Sequence, residues 1–341
     1  MALQGSGQIS FSNIENEFGA NGGRSLGGYR TSQNVGELSN LPLDAGIPTS
    51  GQIKFSDFYS KKLNHIVDLH SIGNNTSRQI AKDRWNNGNV HIVGSSKTGK
   101  GQPPNTTDDR VIINVNNTIR SVKGTQTHCA LRTGNWDTNT TLEIEIGTSG
   151  KLFGSGGNGG TGGNANETAG TDGQTGSSAL GIEYPCTINN LGVIQSGYGG
   201  GGGGGGNTRT TGGGKKSGAT TNGSSGGGGG GGAGLPAGDA GGVQTPLVQG
   251  GGSAGSAGQA GSLSGQATGG GGGTEAGDGG DSSPVNNTAT KAENGTQPSG
   301  AASGGTGGDN GYAIITNQGS APSLTGGGSL TGRTITSTNP T

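Results

Sequence analysis

The sequence predicts a mainly β and irregular fold, with short helices near its start and a glycine-rich bundle toward its end. Three observations support this class. Glycine accounts for 83 of 341 residues, against roughly 7% in ordinary proteins. Apolar residues make up only 25% of the chain, so a conventional hydrophobic core cannot extend through all of it. The apolar residues that are present fall in short alternating runs, which are typical of strands.

Composition divides the chain into four segments, which we predict to be separate regions. Residues 1–63 contain an internal repeat, 64–146 contain strand-like runs, 147–333 hold most of the glycine, and 334–341 form a polar tail. The formal net charge of −1 predicts no nucleic-acid or membrane-surface partner. No apolar run approaches the ~18 residues of a membrane span, and the start MALQGSGQIS predicts no signal peptide.

The internal repeat consists of SGQISFSNI (6–14) and SGQIKFSDF (50–58). Each copy predicts a short strand and then a helix start, with Ser12 and Ser56 as the N-caps and Glu15 completing a capping box with Ser12. Gly19 is expected to end the first helix. Each unit is too small to fold alone, so the copies pack on each other or on a partner. The candidate docking residues are Ile9, Phe11, Ile14, Phe18, Ile53, Phe55, Phe58 and Tyr59.

Residues 64–146 predict a small antiparallel β domain. The runs HIVDLHSI, NVHIVG, RVIINVNNTI and TTLEIEIG have period-two character and β-branched residues. In the last run Glu143 and Glu145 alternate with apolar residues, which predicts one solvent-facing side. Trp85 and Trp136 are predicted core or interface anchors. Cys129 and Cys186 allow one bridge or two free thiols, and free thiols are favoured because nothing indicates an oxidising compartment.

The glycine tracts of residues 147–333 allow three interpretations. Collagen requires glycine at every third position and abundant proline, whereas the runs here are pure or irregular and the chain has only 11 prolines. A flexible linker of this length would be unusual. We therefore expect a bundle of polyglycine II helices, with three residues per turn and lateral backbone hydrogen bonds. The segments between the tracts would then be exposed loops at the ends of the bundle.

Sequence motifs for catalysis are weak. GSSKTGKG (94–101) lacks the Ser or Thr that a phosphate-binding loop needs after its lysine. The four histidines show no i, i+4 spacing typical of zinc sites, and GGTGGD (304–309) lacks the tandem copies of a calcium-binding repeat. We predict no enzyme activity, no cofactor and no metal.

The residues resemble a known family. SGQISFSNIENEFG and SGQIKFSDFY are similar to the openings of many phage virion proteins, especially those of cyanophages. TLEIEIGTSGKLFGSGGNGGTGG, YPCTINNLGVIQSGYGGGGGGGG and GDNGYAIITNQG resemble blocks of the glycine-rich tail-fibre tip adhesins of tailed phages, including the receptor-recognising proteins of T-even-type phages. The resemblance covers residues 6–63 and 142–333. It departs from the T-even pattern in the N-terminal repeat and in the scarcity of aromatic residues after Tyr198.

The resemblance implies a tail protein, made in the host cytoplasm and acting outside it, that binds the host surface without covalent chemistry. Its partners would be other tail proteins, through the N-terminal region, and a bacterial surface glycan or outer-membrane protein. The alternative is a purely structural tail or baseplate component, and a homotrimer is suggested by analogy alone. The candidate receptor-facing residues are Arg209, Lys215, Lys216, Val243, Leu247, Lys291 and Glu293.

Overall fold

The structure is a computed structural model of the whole chain. It describes residues 3–19, 25–30, 33–35, 38–69, 76–87, 90–92, 99–101, 110–137, 139–164, 168–211, 220–244, 256–259, 261–262, 267–269, 276, 279–282, 293, 302–317, 322–335, 338 and 340. Free thiols are confirmed: neither Cys129 nor Cys186 is bridged.

The N-terminal region contains one α-helix, α1 (Phe11–Phe18), two 3₁₀ helices (Leu26–Tyr29 and Phe55–Phe58) and a two-stranded pair, β1 (Gln33–Val35) and β2 (Leu38–Leu41). The predicted N-caps Ser12 and Ser56 are wrong by two residues. Ser10 and Lys54 are the N-caps, because both have extended backbone and bond to the third helical residue. Gly19 ends α1 as predicted, donating its N–H to the Glu15 carbonyl at 2.9 Å.

The two repeat copies pack on each other. Ile14 and Phe58, which are equivalent positions in the two copies, are both fully buried. The rings of Phe18 and Tyr29 meet the Phe58 ring edge-on at 5.8 Å and 5.6 Å between centroids. This small core is separate from the main one.

The predicted antiparallel β domain is wrong, because the main body is a solenoid of parallel strands with three sheets. The first sheet contains β3 (Asn64–Asp68), β6 (Val90–Ile92), β7 (Gly99–Gly101), β8 (Arg110–Val115), β11 (Thr141–Ile146), β14 (Cys186–Asn190) and β19 (Ser323–Thr325). The second contains β4 (Thr76–Ser77), β9 (Thr118–Arg120), β12 (Lys151–Phe153), β15 (Val193–Gln195) and β20 (Ser329–Thr331). The third contains β5 (Gln79–Ile80), β10 (Cys129–Arg132), β13 (Ser178–Ile182), β18 (Tyr312–Thr316) and β21 (Arg333–Ile335).

Chain order explains the parallel pairing. Each strand passes into the next sheet, so that a strand pairs with the one a full coil later: β8 with β11, β9 with β12 and β10 with β13. Among the described strands of this body, only β3–β6 and β6–β7 pair antiparallel. Strands on both sides of residue 147 share all three sheets, so that position does not separate two sheets.

The solenoid interior is filled by ladders of aliphatic side chains. In the first sheet Ile113, Ile144 and Ile188 stack at aligned positions and are fully buried. The ladder ends at Leu324 in the last coil, which is 40% exposed. Along β11 the burial alternates as predicted, because Glu143 and Glu145 lie on the outer side. The stack of coils therefore ends in an apolar residue that no further coil covers in the described chain.

Both tryptophans belong to the core, as predicted. A short helix, α2 (Ala81–Asn86), places Trp85 against Trp136 with 5.3 Å between ring centroids. Both side chains are buried in the solenoid core. Lys82 lies over the Trp136 ring at 4.6 Å, a cation–π geometry that shields the outer side of the pair.

Candidate functional site

Both glycine-rich insertions leave the solenoid at the same corner. Residues 154–177 connect β12 to β13, and residues 196–311 connect β15 to β18, so each insertion starts in the second sheet and returns to the third. Within them an antiparallel hairpin is formed by β16 (Asn207–Thr211) and β17 (Thr220–Ser224). Six longer stretches of the described residues form extended tracts: first (154–164), second (168–177), third (197–206), fourth (225–234), fifth (236–244) and last (302–311). Shorter described stretches lie between the fifth and the last tract, at 256–259, 261–262, 267–269 and 279–282.

The tracts are joined by lateral backbone hydrogen bonds whose direction repeats every third residue. In the fourth tract, Gly229 and Gly232 donate to the first tract, at Gly160 and Gly157, at 2.8 Å each. Gly228 and Gly231 donate to Ser256 and Gln259 at 3.0 and 2.8 Å, and Gly230 donates to Gly280 at 3.0 Å. One tract therefore bonds to three different neighbours in rotation.

Close lateral approach explains the requirement for glycine. A Cβ on Gly201 would overlap the carbonyl oxygen of Gly280, and one on Gly229 would overlap that of Gly201. These obstacles are backbone atoms, which no rotamer change can move. A Cβ on Gly242 would enter open space, so glycine is not required at every position of a tract.

Tract composition largely follows burial. The third and fourth tracts are pure glycine over Gly199–Gly206 and Gly226–Gly232, and both runs are buried throughout. In the first tract the non-glycine residues recur at every third position, at Ser155, Asn158, Thr161 and Asn164. This three-residue spacing is visible in the sequence. The glycine runs of the first tract are therefore regular, and the expectation that the runs are pure or irregular is wrong there.

The ends of the tracts that do not join the solenoid are bonded together in one layer, here called the distal layer. Gly163 donates to Gly204 at 2.7 Å and accepts from Gly226 at 2.9 Å. Further bonds join Gly162 to Gly242 (3.0 Å), Gly205 to Glu293 (3.1 Å) and Ala302 to Gly206 (3.1 Å). Among the described residues, the first, third, fourth, fifth and last tracts each contribute a residue to these bonds.

The candidate receptor-facing residues fall near this layer where they are described. Arg209 lies on β16, directly beyond the third tract. Val243 follows Gly242 and is 39% exposed, and Glu293 is exposed beside Gly205. Lys215, Lys216, Leu247 and Lys291 lie outside the described residues.

A solenoid loop, residues 121–128, anchors the tracts at their other end. The Lys123 ammonium donates to Asn158 Oδ1 and to Asp239 Oδ2, at 2.7 Å each. The Gln126 amide donates to the Asn310 carbonyl at 2.6 Å. The first, fifth and last tracts are thereby tied to one loop of the rigid body.

Most candidate docking residues form the N-terminal core instead of a free surface. Ile14, Phe18 and Phe58 are fully buried, and Ile9 and Ile53 are at most 9% exposed. The partly exposed candidates form a separate group: Phe11, Phe55 and Tyr59. Phe11 and Phe55 contact each other, whereas the Tyr59 hydroxyl donates to the Gly7 carbonyl.

A cavity of about 250 Å³ lies where the N-terminal region meets the first sheet. Arg110 bridges Asp44 and Glu143 there. Burial raises the pKa of Glu145, a hydrogen bond from Asn189 partly opposes this, and the charge on Glu143 adds to it. Through these ion pairs Arg110 joins Asp44 of the N-terminal region to Glu143 of the first sheet, which is a structural role. Among the described residues no cluster of three His, Cys, Asp or Glu side chains could hold a metal ion.

Comparison with protein families gives a match over residues 79–339, to the phage tail fibre adhesin Gp38. The match covers most of the chain. The chain belongs to the Gp38 phage tail fibre adhesin family. The matched region begins at β5 and includes the glycine tracts, and it leaves out the N-terminal repeat.

Two further comparisons accompany the Gp38 match. Among solved structures, the chain is similar to one described as the gp37–gp38 adhesin tip complex of the bacteriophage S16 long tail fibre. The identity is 18% and the TM-score 0.36, covering 97% of this chain and 100% of that chain. The comparison with curated proteins finds no match. Neither α-helix in the described part of this Gp38-family protein has the length and hydropathy of a membrane span.

Proposed function

We propose that this tail-fibre adhesin binds the bacterial host surface through the connections of its distal layer. The observation that carries the proposal is that the tracts end at one common layer. In the first tract this layer is at Gly163, nine residues beyond Gly154. Loops on a rigid scaffold commonly carry binding function. Recognition is non-covalent, with no cofactor, and several copies on one virion would raise avidity.

The scaffold is a polyglycine II bundle, here called the glycine lattice. The three-residue rotation of donors in the fourth tract supports it, because polyglycine II has three residues per turn and no hydrogen bonds within one chain. With a rise of about 3.1 Å per residue, the distal layer lies roughly 28 Å from the solenoid. The loops are thereby held away from the rest of the chain.

The organisation that we propose follows from these units. Residues 1–63 dock to another tail protein, the solenoid links that unit to the lattice, and the lattice presents the loops outside the cell. In the docking unit, Phe11 and Phe55 remain the candidates for partner contact, because the buried members of the predicted set support them from within. A homotrimer remains a prediction by analogy.

The adhesin proposal is tested by binding of the purified, fluorescently labelled full chain to host cells. Replacing Lys215 and Lys216 together with Ser should weaken binding if the distal hairpin contacts an anionic or polar receptor. The matched control replaces Lys54 and Lys151, which are exposed outside the lattice, and should bind as the parent does. A parent chain that binds no host cells and does not block infection would favour the purely structural role instead.

A further inference from the structure

The first tract has three sets of N–H groups, and only two of them reach backbone carbonyls. Gly157, Gly160 and Gly163 donate to the third tract at 2.7–2.8 Å, and Gly156, Gly159 and Gly162 donate to the fifth tract at 2.8–3.0 Å. The third set faces the second tract. There Ser155, Thr161 and Asn164 donate to the side-chain oxygens of Ser177, Thr171 and Thr168, at 2.7, 2.7 and 2.6 Å.

The carbonyls of the residues that line this side of the second tract are directed to the third tract and not to the first. The carbonyls of Thr168, Thr171, Gln174 and Ser177 accept from Gly206, Gly203, Gly200 and Gly197 of the third tract, at 2.8–3.1 Å. Thr171, Gln174 and Ser177 donate their N–H groups to the first tract, whereas no described N–H of the first tract donates to a backbone carbonyl of the second. The hydroxyl groups of Thr168, Thr171 and Ser177 are the acceptors instead.

The same replacement recurs at other borders of the tracts. Side-chain oxygens accept tract N–H groups at Asn310 from Gly199 (2.9 Å), at Ser282 from Ala267 (2.7 Å), at Asp281 from Gly269 (2.9 Å), at Asp172 from Thr306 (2.6 Å) and at Asn158 from Asp239 (2.9 Å). Ser, Thr, Asn and Asp are also the residues that cap helix N-termini, where N–H groups likewise lack carbonyl partners.

We infer that Thr168, Thr171 and Ser177 are lattice caps: positioning residues that satisfy the outward N–H groups of the first tract. An unpartnered N–H is costly where it is buried, as it would be at Ser155 beside Ser177, and at the more exposed Thr161 and Asn164 the hydroxyl takes the place of water as acceptor. The caps thereby hold the first two tracts in one register from Ser155 to Asn164. They also mark an edge of the glycine lattice. At this edge a side-chain oxygen accepts the N–H groups that the backbone carbonyls of a further tract would otherwise accept. The inference rests on the proposed glycine lattice.

The test compares Thr171→Val with Thr171→Ser in the full chain, by site-resolved amide exchange. Valine has nearly the same shape as threonine but no acceptor, so exchange at Thr161 should accelerate about 5- to 10-fold, the equivalent of one hydrogen bond. Serine keeps the oxygen and should restore protection. Thr175→Val is the matched control, because the Thr175 hydroxyl donates to the Gly124 carbonyl and caps no tract N–H.

Each outcome decides one of the two claims. Unchanged exchange at Thr161 in Thr171→Val, with slow exchange at Gly226–Gly232, would overturn the caps and leave the lattice standing. Rapid exchange at Gly226–Gly232 in the parent chain would overturn the lattice itself. If Thr171→Val fails to fold while Thr171→Ser and Thr175→Val fold, the acceptor oxygen is essential, as inferred.

Discussion

The ring of Phe11 meets the ring of Phe55 edge-on, with 5.0 Å between centroids and 74° between planes. The two residues occupy equivalent positions in the two copies of the N-terminal repeat. The copies therefore contact each other through like residues, at the edge of a shared core. The stability of the repeat therefore depends on its buried residues. The rings of Phe11 and Phe55 remain partly exposed and lie at its surface.

Phe58→Ala should destabilise the N-terminal region by about 3–5 kcal/mol, the usual cost of removing a fully buried Phe. Phe55→Ala, at a site 36% exposed, should cost much less, since it loses mainly one aromatic pair worth about 0.5–1.5 kcal/mol. Urea unfolding followed by near-ultraviolet circular dichroism distinguishes them. Equal destabilisation by both variants would contradict the separation of core and surface.

Gly201→Ala should destabilise the glycine lattice strongly, because the new methyl group overlaps the Gly280 carbonyl. Overpacking typically costs about 1–3 kcal/mol, and here the obstacle is backbone. Gly242→Ala is the matched control, since its methyl group enters open space. Thermal unfolding should show a lower midpoint only for the first variant. Similar midpoints for both would mean that the tracts are not closely packed at Gly201.

Glu145→Gln should remove part of the pH dependence of stability. Burial raises the pKa of Glu145, so the folded state favours the protonated carboxyl more than the unfolded state does. The contribution of Glu145 to stability should be lost as pH rises through and above the ordinary glutamate range, so between pH 4 and pH 8 the parent chain should lose more stability than the glutamine variant. Unfolding midpoints at pH 4 and pH 8 measure this, and an identical drop in both proteins would exclude Glu145 as the cause.

Cys186 should react slowly with iodoacetamide at pH 8. Burial raises the pKa of its thiol to about 12, so the reactive thiolate is scarce in the folded protein. The same shift stabilises the fold below the ordinary thiol pKa, and that contribution is lost as pH rises toward 12. Mass spectrometry of the alkylated chain, native and in urea, gives the ratio of rates. Equal rates in both conditions would show that Cys186 is accessible.

The sequence predicted the positions of strands better than their partners. Leu142, Ile144 and Ile146 indicated a strand with one buried side, and that alternation is present in β11. Alternation records which side is buried and not which strand lies alongside, so it fits an antiparallel hairpin and a solenoid coil equally well. The pairing of Ile144 with Ile113 and Ile188 joins residues more than thirty positions apart, and no local pattern encodes it.

Some features of the candidate site could be predicted from the sequence, and others could not. The exposed ends of the tracts could be expected at Val243 and Glu293, because both interrupt glycine-rich sequence. The anchoring contacts of Lys123 with Asn158 and Asp239 could not, since they depend on how the insertions leave the solenoid. The caps could have been found from the three-residue spacing of hydroxyl and amide residues beside the glycines.

The pure-glycine runs at Gly199–Gly206 and Gly226–Gly232 are buried, yet what they bury is amide and not hydrocarbon. Exposure of apolar surface raises the heat capacity of a protein on unfolding, and exposure of polar surface lowers it. Melting of these runs should therefore show an unusually small heat-capacity increment. The hydrophobic contribution to stability weakens on cooling. A bundle held together mainly by amide hydrogen bonds should therefore keep its stability in water close to freezing.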